Sequence, residues 1–444
     1  MESRDPFQRV PDELLRIIMW ECIFVEDLQD LLKSEHASKP IQISSICKRW
    51  RDIALGPHSH FLWSQIHLGW PKDAVKMFLE RSQGDDLISI GINQNGCASG
   101  TVSYFIDLFP SLDRIERLSV DWVTNVLNLN LVTPQALLSW ISDSLGGERR
   151  VENLWQLHLK FSFGDVSNYM TKPLKVVNLP RISDLRARYI AFDSLFLDTC
   201  CLTTADVTWD GMKAEDIITF VVHSLAIEKV SFNSTHYISE NSGAGSVSCR
   251  SPTALSCLKS ITIGTCEKAT VEYILARFVF PETCTITLHI GRVTYGSIMK
   301  SFPDSLRPIL TSSVSLSVHS PRLEKWCGDY FENPFGLSFH SPVSPHYVVR
   351  FGDWFTRGLR REESIRLLTD LSSMPEFFQL KEAQIFVRYL PDSDILPHRY
   401  WQSLASTKKA RHQALRVQRR RNQKRSGHKE RMGLWDPTPT NYDG

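Results

Sequence analysis

The chain has 444 residues, of which 42% are hydrophobic and 10% aromatic. This composition argues against a chain that is disordered throughout, and the length predicts roughly two to four domains. Lysine and arginine total 51 against 49 aspartate and glutamate residues, so the formal net charge is +2. A balance this even argues against a body that binds polyanions, although the average conceals how charge is distributed along the chain.

Targeting signals and cysteines favour a reducing compartment. The first six residues, MESRDP, lack the basic and then apolar build of a secretory signal, and no stretch reaches the roughly 20 apolar residues of a membrane span. None of the ten cysteines belongs to a C-x-x-C pair, which removes the usual support for a zinc site. We therefore expect a cytoplasmic or nuclear protein, or both, without membrane or metal. The adjacent Cys200 and Cys201 are expected to be half-buried thiols.

Three helices are predicted within the first eighty residues. The first starts around Pro11, which suits a first helical turn, and it carries apolar residues on one face at Leu14, Ile17 and Ile18. A polar insert, predicted to be looped, covers residues 33–40. The second helix has an apolar stripe at helical spacing, formed by Ile43, Ile46, Cys47, Trp50, Ile53 and Ala54. Pro71 opens the third helix.

These elements resemble a known module. The runs V-P-D-E-L-L-R-I-I (10–18), I-C-K-R-W-R-D-I-A-L (46–55) and F-L-W-S-Q-I (61–66) resemble, in this order, the blocks of an F-box. The sequence that follows, W-P at 70–71 and F-L-E-R-S at 78–82, resembles the continuation in many fungal F-box proteins. Val10 stands where the family usually has leucine, and the insert over 24–41 is longer than in a minimal F-box.

The resemblance implies binding rather than catalysis. F-boxes are three-helix modules that dock on the Skp-type adaptor, and through it on the cullin, of a ubiquitin ligase. The resemblance assigns the adaptor-facing surface to a set of eight residues: Val10, Pro11, Leu14, Leu15, Ile18, Ile46, Cys47 and Trp50. A three-helix unit this small buries little core and gains stability from a partner. The alternative is an amphipathic helical cap without a partner.

The pattern changes to short strands after residue 84. Leu258-x-x-Ile261-x-Ile263-x-x-Cys266 matches the leucine-rich-repeat template, and five weaker copies precede it at a mean spacing of about 29 residues. They begin at Ile115, Leu154, Ile182, Leu202 and Ile227. Further strands are predicted at 87–92, 285–290, 314–318 and 383–387, and helices at 134–144, 214–225 and 269–278. The same spacing also fits an ordinary α/β domain.

The predicted architecture is therefore α/β in three parts. An all-α F-box covers 8–68, an irregular leucine-rich-repeat-like solenoid covers 69–400, and a basic tail, disordered or partly helical, covers 401–444. The aromatic stretch 326–355 is expected to be an irregular cap at the end of the solenoid, in preference to a substrate pocket.

No catalytic motif or cofactor motif is found. The sequence contains no P-loop, no G-x-S-x-G and no H-E-x-x-H, and Gly243-Ala244-Gly245 reaches Ser248 where a dinucleotide loop needs glycine. We therefore expect no catalytic residue, no cofactor and no enzyme activity.

The basic tail explains why the net charge of the whole chain is close to zero. Residues 408–431 hold eleven cations and one anion, so this segment carries +10 and the rest of the chain −8. Its densest part is Arg419, Arg420, Arg421, Lys424 and Arg425. Such a run serves as a nuclear address read by an importin or as a nucleic-acid patch, and the alternative is a solvated tail.

The leading hypothesis is a substrate-recognition subunit of a Skp–cullin–F-box (SCF) ubiquitin ligase, which binds the adaptor through residues 8–68 and an unknown protein target through the repeats. The second is a nuclear scaffold whose tail engages nucleic acid. The third is an F-box protein without an assembled ligase.

Overall fold

The computed structural model describes part of the chain. The described residues are 10–24, 38–82, 87–93, 104–106, 114–123, 132–146, 151–162, 174–175, 179–188, 190, 192–194, 201–208, 212–234, 238, 251–291, 302–311, 313, 315–319, 323–326, 329–332, 335–340, 344–351 and 382–386. Two compact units divide the chain, Met1–Ile286 and Thr287–Gly444.

The helices are mostly short. In chain order they are α1 (Asp12–Ile23), α2 (Ser38–Ser45), α3 (Lys48–Ala54), α4 (Lys72–Arg81), α5 (Val132–Gly146), α6 (Ala214–His223), α7 (Lys268–Leu275) and α8 (Arg307–Thr311). Two 3₁₀ turns lie at His60–Trp63 and Asp304–Leu306. Within the described residues no helix is long and apolar enough to cross a bilayer.

A parallel sheet dominates the first unit. Its strands are β1 (Gln65–His67), β2 (Ile88–Asn93), β3 (Ile115–Val123), β4 (Gln156–Ser162), β6 (Asp184–Arg188), β8 (Thr204–Thr208), β9 (Lys229–Asn233) and β11 (Ser260–Cys266). Each of these strands pairs in parallel with the next one named, so the sheet follows the order of the chain. Shorter strands complete the unit: β5 (Leu174–Lys175), β7 (Phe192–Ser194), β10 (Thr253–Ala254) and β12 (Phe278–Val279).

The two faces of this sheet differ in chemistry because successive side chains in a strand point to opposite sides. One face carries rows of buried apolar residues in register, for example Leu118, Leu157, Leu185, Ala205 and Val230. The opposite face carries polar residues. We call it the polar face and define it as the side chains of β3, β4, β6, β8 and β9 in register with Arg117, Ser119 and Asp121.

Helix α6 packs on the apolar side of the sheet. It buries an apolar stripe formed by Ala214, Ile217, Phe220 and Val221. The Phe220 ring meets the Phe232 ring of β9 edge to face, with 5.4 Å between centroids. The helix begins where Asp216 accepts a hydrogen bond from the Lys213 backbone N–H at 2.9 Å, which satisfies one of the amides left free at a helix start.

The second unit contains antiparallel pairs. The strands here are β14 (Ser315–His319), β15 (Leu323–Trp326), β16 (Asp329–Glu332), β17 (Phe335–His340), β18 (His346–Phe351) and β19 (Glu382–Phe386). β15 pairs with β16 and β17 with β14 and β18, all antiparallel, whereas β14 and β19 are parallel. β13 (Thr285–Ile290) spans the boundary between the units.

The predicted elements recur in the structure with few exceptions. All six repeat copies contain a strand, and every further strand and helix predicted outside the N-terminal eighty residues is present within three residues of its predicted bounds. The mixed α/β class with a largely parallel sheet is confirmed. Apart from the second predicted helix, three local predictions were wrong. Much of 326–355 forms the regular strands β16, β17 and β18, Cys201 is exposed, and the insert predicted to be looped over 33–40 ends in the first turn of α2. Cys200 and residues 33–37 lie outside the described residues.

Candidate docking surface on the N-terminal helices

Helix α1 has a core face and a second apolar face. Pro11 is its N-cap residue, with φ −57° and ψ 149°, one position before the first helical turn. The core face consists of Leu15, Met19 and Ile23, which recur every four residues and are almost fully buried. This spacing places the three side chains in a row along one side of the helix, so they anchor α1 to the rest of the unit.

The second apolar face of α1 is exposed. Leu14, Ile17 and Ile18 do lie on one face of the helix, as the spacing predicts, but this face is turned away from the core. Between 41% and 56% of each residue remains exposed. A helix that is apolar on both sides has a further surface to cover.

The predicted second helix is interrupted, which adds to this exposure. α2 ends at Ser45 and α3 starts at Lys48, with Cys47 in an extended conformation at φ −155° and ψ 173°. The predicted stripe is therefore divided: Ile43, Ile53 and Ala54 are buried, Trp50 is half-buried, and Ile46 and Cys47 are exposed. We name five exposed aliphatic residues of α1 and of the α2–α3 segment the apolar set: Leu14, Ile17, Ile18, Ile41 and Ile46.

Polar contacts fix the helices that carry this set. Arg49 of α3 donates to the Asp12 carboxylate at 2.6 Å and to the Val10 carbonyl at 2.5 Å, which ties α3 to the start of α1. The Arg51 side chain donates to the Ser44 carbonyl of α2 at 3.2 Å. These contacts bridge helices that are each too short to be stable alone.

An aromatic anchor holds the 3₁₀ turn against the helices. The indole N–H of the buried Trp63 donates to the Ala54 carbonyl at 2.9 Å, and its ring packs edge to face on Phe78 of α4. The Arg81 guanidinium lies over the same ring, 4.2 Å from its centroid. A buried indole needs such a partner, so Trp63 serves packing.

A shallow groove of about 440 Å³ lies beside the exposed face of α1. It is lined by Glu13, Arg16, Ile17, Trp20 and Phe61. The Trp20 and Phe61 rings meet edge to face, with 5.4 Å between centroids. The groove therefore combines an exposed isoleucine with two aromatic rings and one charge of each sign, a composition that recurs at protein interfaces.

The structure separates the eight predicted adaptor-binding residues into groups. Five are exposed: Pro11, Leu14, Ile18, Ile46 and Cys47. Val10 and Trp50 are half-buried. Leu15 is fully buried and belongs to the core. The predicted set omitted Ile17 and Ile41, although the three-residue spacing from Leu14 to Ile17 was a signal for the former. The tail residues Arg419, Arg420, Arg421, Lys424 and Arg425 lie outside the described residues.

The described residues contain no grouping of three or more histidine, cysteine, aspartate or glutamate side chains that is arranged to hold a metal ion. The N-terminal helices present the exposed apolar set and a groove whose lining includes Glu13 and Arg16. Comparison with protein-family models, with curated proteins and with solved structures gave no match.

Proposed function

We propose that this protein is the substrate-recognition subunit of an SCF-type ubiquitin ligase. The N-terminal helices would dock the Skp-type adaptor, and the sheet would hold the target. The observation that carries the proposal is the apolar set. Its five aliphatic side chains are exposed on the N-terminal helices, whose buried core is formed by other residues.

The energetics favour a permanent or frequent partner for this surface. Covering a half-exposed leucine or isoleucine contributes about 1 kcal/mol. Five such residues therefore provide about 5 kcal/mol towards association, before the loss of translational and rotational freedom is subtracted. A surface without a partner would instead be prone to aggregation.

The sheet supports the second half of the proposal. Eight parallel strands follow one another in chain order, an arrangement typical of repeat proteins in which each unit contacts its neighbours. We infer that this body is an irregular leucine-rich-repeat-like solenoid. Such a body presents one side chain row per strand on a continuous surface, which suits a target larger than a small molecule.

Co-purification with a Skp-type adaptor tests the proposal. We expect the full chain to retain the adaptor through gel filtration and the double variant Leu14→Asp with Ile18→Asp to lose it, because two charges would be buried without partners. Leu225→Asp is the matched control, since Leu225 is also about half exposed but follows α6. Failure of the unmodified chain to bind the adaptor, or equal loss in all variants, would exclude the docking role.

A second function rests on the tail. The +10 charge of residues 408–431 favours a nucleic-acid contact or an importin contact, as in the nuclear-scaffold hypothesis. Binding of duplex DNA or RNA that weakens steeply with salt, and that is lost on truncation after Thr407, would support it. Unchanged binding in the truncated chain would assign nucleic-acid contact to another part.

A further inference from the structure

The polar face carries more positive than negative charge. Its cations are Arg117, Lys160, Arg186, Arg188 and Lys229, and its anions are Asp121, Asp184 and Asp206, so its net charge is +2. Outside the basic tail the chain as a whole carries −8. The polar face is thus a cationic area on an acidic body.

The outermost side chains of this face are more cationic than its net charge of +2 indicates. Lys160 pairs with Asp121 at 3.0 Å, Arg186 with Asp184 at 3.3 Å, and Arg188 with Asp206 at 2.7 Å. In each pair the cation is the more exposed partner: the cationic side chains are 35–45% exposed and the carboxylates 15–23%. The carboxylates therefore lie beneath the cations and hold them in position.

A layer of hydrogen-bonded polar side chains lies beneath these cations and supports them. The buried Arg117 donates to Gln156 at 2.9 Å, and Gln156 donates to Asp184 at 2.8 Å. His158 meets the same Asp184 oxygen at 2.9 Å. Burial raises the pKa of Asp184, but the hydrogen bonds from His158 and Gln156 and the nearby Arg186 outweigh burial, so this pKa lies below its ordinary value. Asp184 is therefore a fixed anion under Arg186.

The exposed cations have a spacing that matches an extended peptide. Arg186 and Arg188 are two positions apart on β6, which places their Cα atoms roughly 6.5–7 Å apart. Side chains at alternate positions of an extended peptide have the same separation. Each guanidinium carries five N–H groups, and Arg188 uses two nitrogens for Asp206, which leaves donors for a second carboxylate.

We propose that the polar face binds an extended protein segment with aspartate or glutamate at alternate positions, and that Arg186 and Arg188 contact its carboxylates. That this segment belongs to the target for ubiquitination rests on the function proposed above. The binding itself does not.

The test uses the full chain and a fluorescein-labelled peptide of alternating glutamate and serine, followed by fluorescence anisotropy at low ionic strength. We expect the double variant Arg186→Gln with Arg188→Gln to bind about tenfold more weakly, since two charge-assisted contacts are lost. Arg186→Lys with Arg188→Lys keeps the charges and is expected to lose less than threefold. Lys76→Gln is the matched control, because Lys76 is an exposed cation paired with Glu80 on α4, and it should bind as the unmodified chain does.

Three results would overturn the proposal. The first is equal binding by the Arg186→Gln, Arg188→Gln variant and the Lys76→Gln control. The second is a photo-cross-link from the peptide that maps only to residues 408–431. The third is binding of a phosphoserine peptide with glutamine in place of glutamate while the glutamate peptide does not bind. Adaptor co-purification, measured on the same variants, is expected to be unchanged, so a failure of adaptor docking is distinguishable from a failure of peptide binding.

Discussion

Nη2 of Arg49 lies 2.6 Å from the Asp12 carboxylate and 2.5 Å from the Val10 carbonyl, so one side chain holds the start of α1 against α3. Both partners are about one-third to one-half exposed, and solvent reduces the contribution of such a pair to about 1 kcal/mol or less. We predict that Arg49→Met increases hydrogen exchange in residues 10–24 by about fivefold at low salt. Asp12→Asn added to Arg49→Met should have little further effect. Independent, additive effects of the two substitutions would contradict the pairing.

The two faces of α1 should respond differently to truncation. Leu15→Ala removes a fully buried side chain, and we expect a loss of about 2–5 kcal/mol of local stability. Leu14→Ala should cost less than about 1 kcal/mol, because Leu14 is already half exposed. Adaptor affinity should fall in the Leu14→Ala variant while its hydrogen exchange stays unchanged. If Leu14→Ala destabilises α1 as much as Leu15→Ala, the exposed face belongs to the core.

Periodicity explains why the strands were predictable and why the candidate docking surface was only partly so. Leu185 and Ala187 alternate with polar residues, and this two-residue period identifies a strand with one buried face. Helix α1 has two apolar faces, one that includes Leu14 and one that includes Leu15. Both faces have helical spacing, so periodicity alone does not decide which of them is buried. The break between α2 and α3 lies at Cys47, whose backbone is extended, and the continuous apolar stripe did not predict it.

The polar face was beyond prediction for a different reason. The hydrogen-bond chain from Arg117 through Gln156 to Asp184 joins residues that are 39 and 28 positions apart in sequence. Each residue alone is an ordinary polar position of a half-buried strand. These residues come together only through the register between neighbouring strands, which is set when the chain folds.

Gly264 on β11 lies against β9 with no room for a side chain. A Cβ atom at this position would stand 2.8 Å from the Asn233 Cα and 2.9 Å from the Phe232 carbonyl oxygen. Because these are backbone atoms, Gly264→Ala must shift a strand, and we expect a loss of about 1–3 kcal/mol. A thermal unfolding scan should show a lower Tm for Gly264→Ala and a nearly unchanged Tm for Thr262→Ala on the same strand. Equal Tm values for both variants would show that the strands can separate without cost.

The reactivity of each cysteine should depend on whether its side chain is buried. Burial, together with the nearby Glu267, raises the pKa of Cys266, and burial raises the pKa of Cys284 to about 12. Since the thiolate is the reactive form, iodoacetamide at pH 8 should spare both in the folded chain. Four exposed cysteines should be alkylated, as mass spectrometry can map: Cys22, Cys47, Cys201 and Cys257. Addition of the adaptor should then protect Cys47 and leave Cys257 reactive; protection of neither would count against docking on this face.

His289 on β13 should make stability sensitive to acid. Its side chain is fully buried, and burial, with a smaller effect of Arg350, lowers its pKa from 6.5 to about 3. Between these values the unfolded chain binds a proton that the folded chain does not. Stability therefore is unaffected by this group above pH 6.5 and falls, by up to about 1.4 kcal/mol per pH unit, as the pH drops towards 3.

A variant without the imidazole isolates this effect. His289→Gln cannot titrate, so its Tm should decrease less between pH 7.5 and pH 5 than that of the unmodified chain, where the difference at pH 5 corresponds to about 2 kcal/mol. The lowered pKa of Asp184 acts in the same direction only as the pH falls below about 5, so Asp184 does not contribute between pH 7.5 and pH 5. Differential scanning fluorimetry of both proteins across this range therefore isolates the effect of His289. Parallel Tm profiles for the two proteins would mean that the His289 imidazole takes up its proton in the folded chain as readily as in the unfolded one, and the burial of His289 would then not control acid stability.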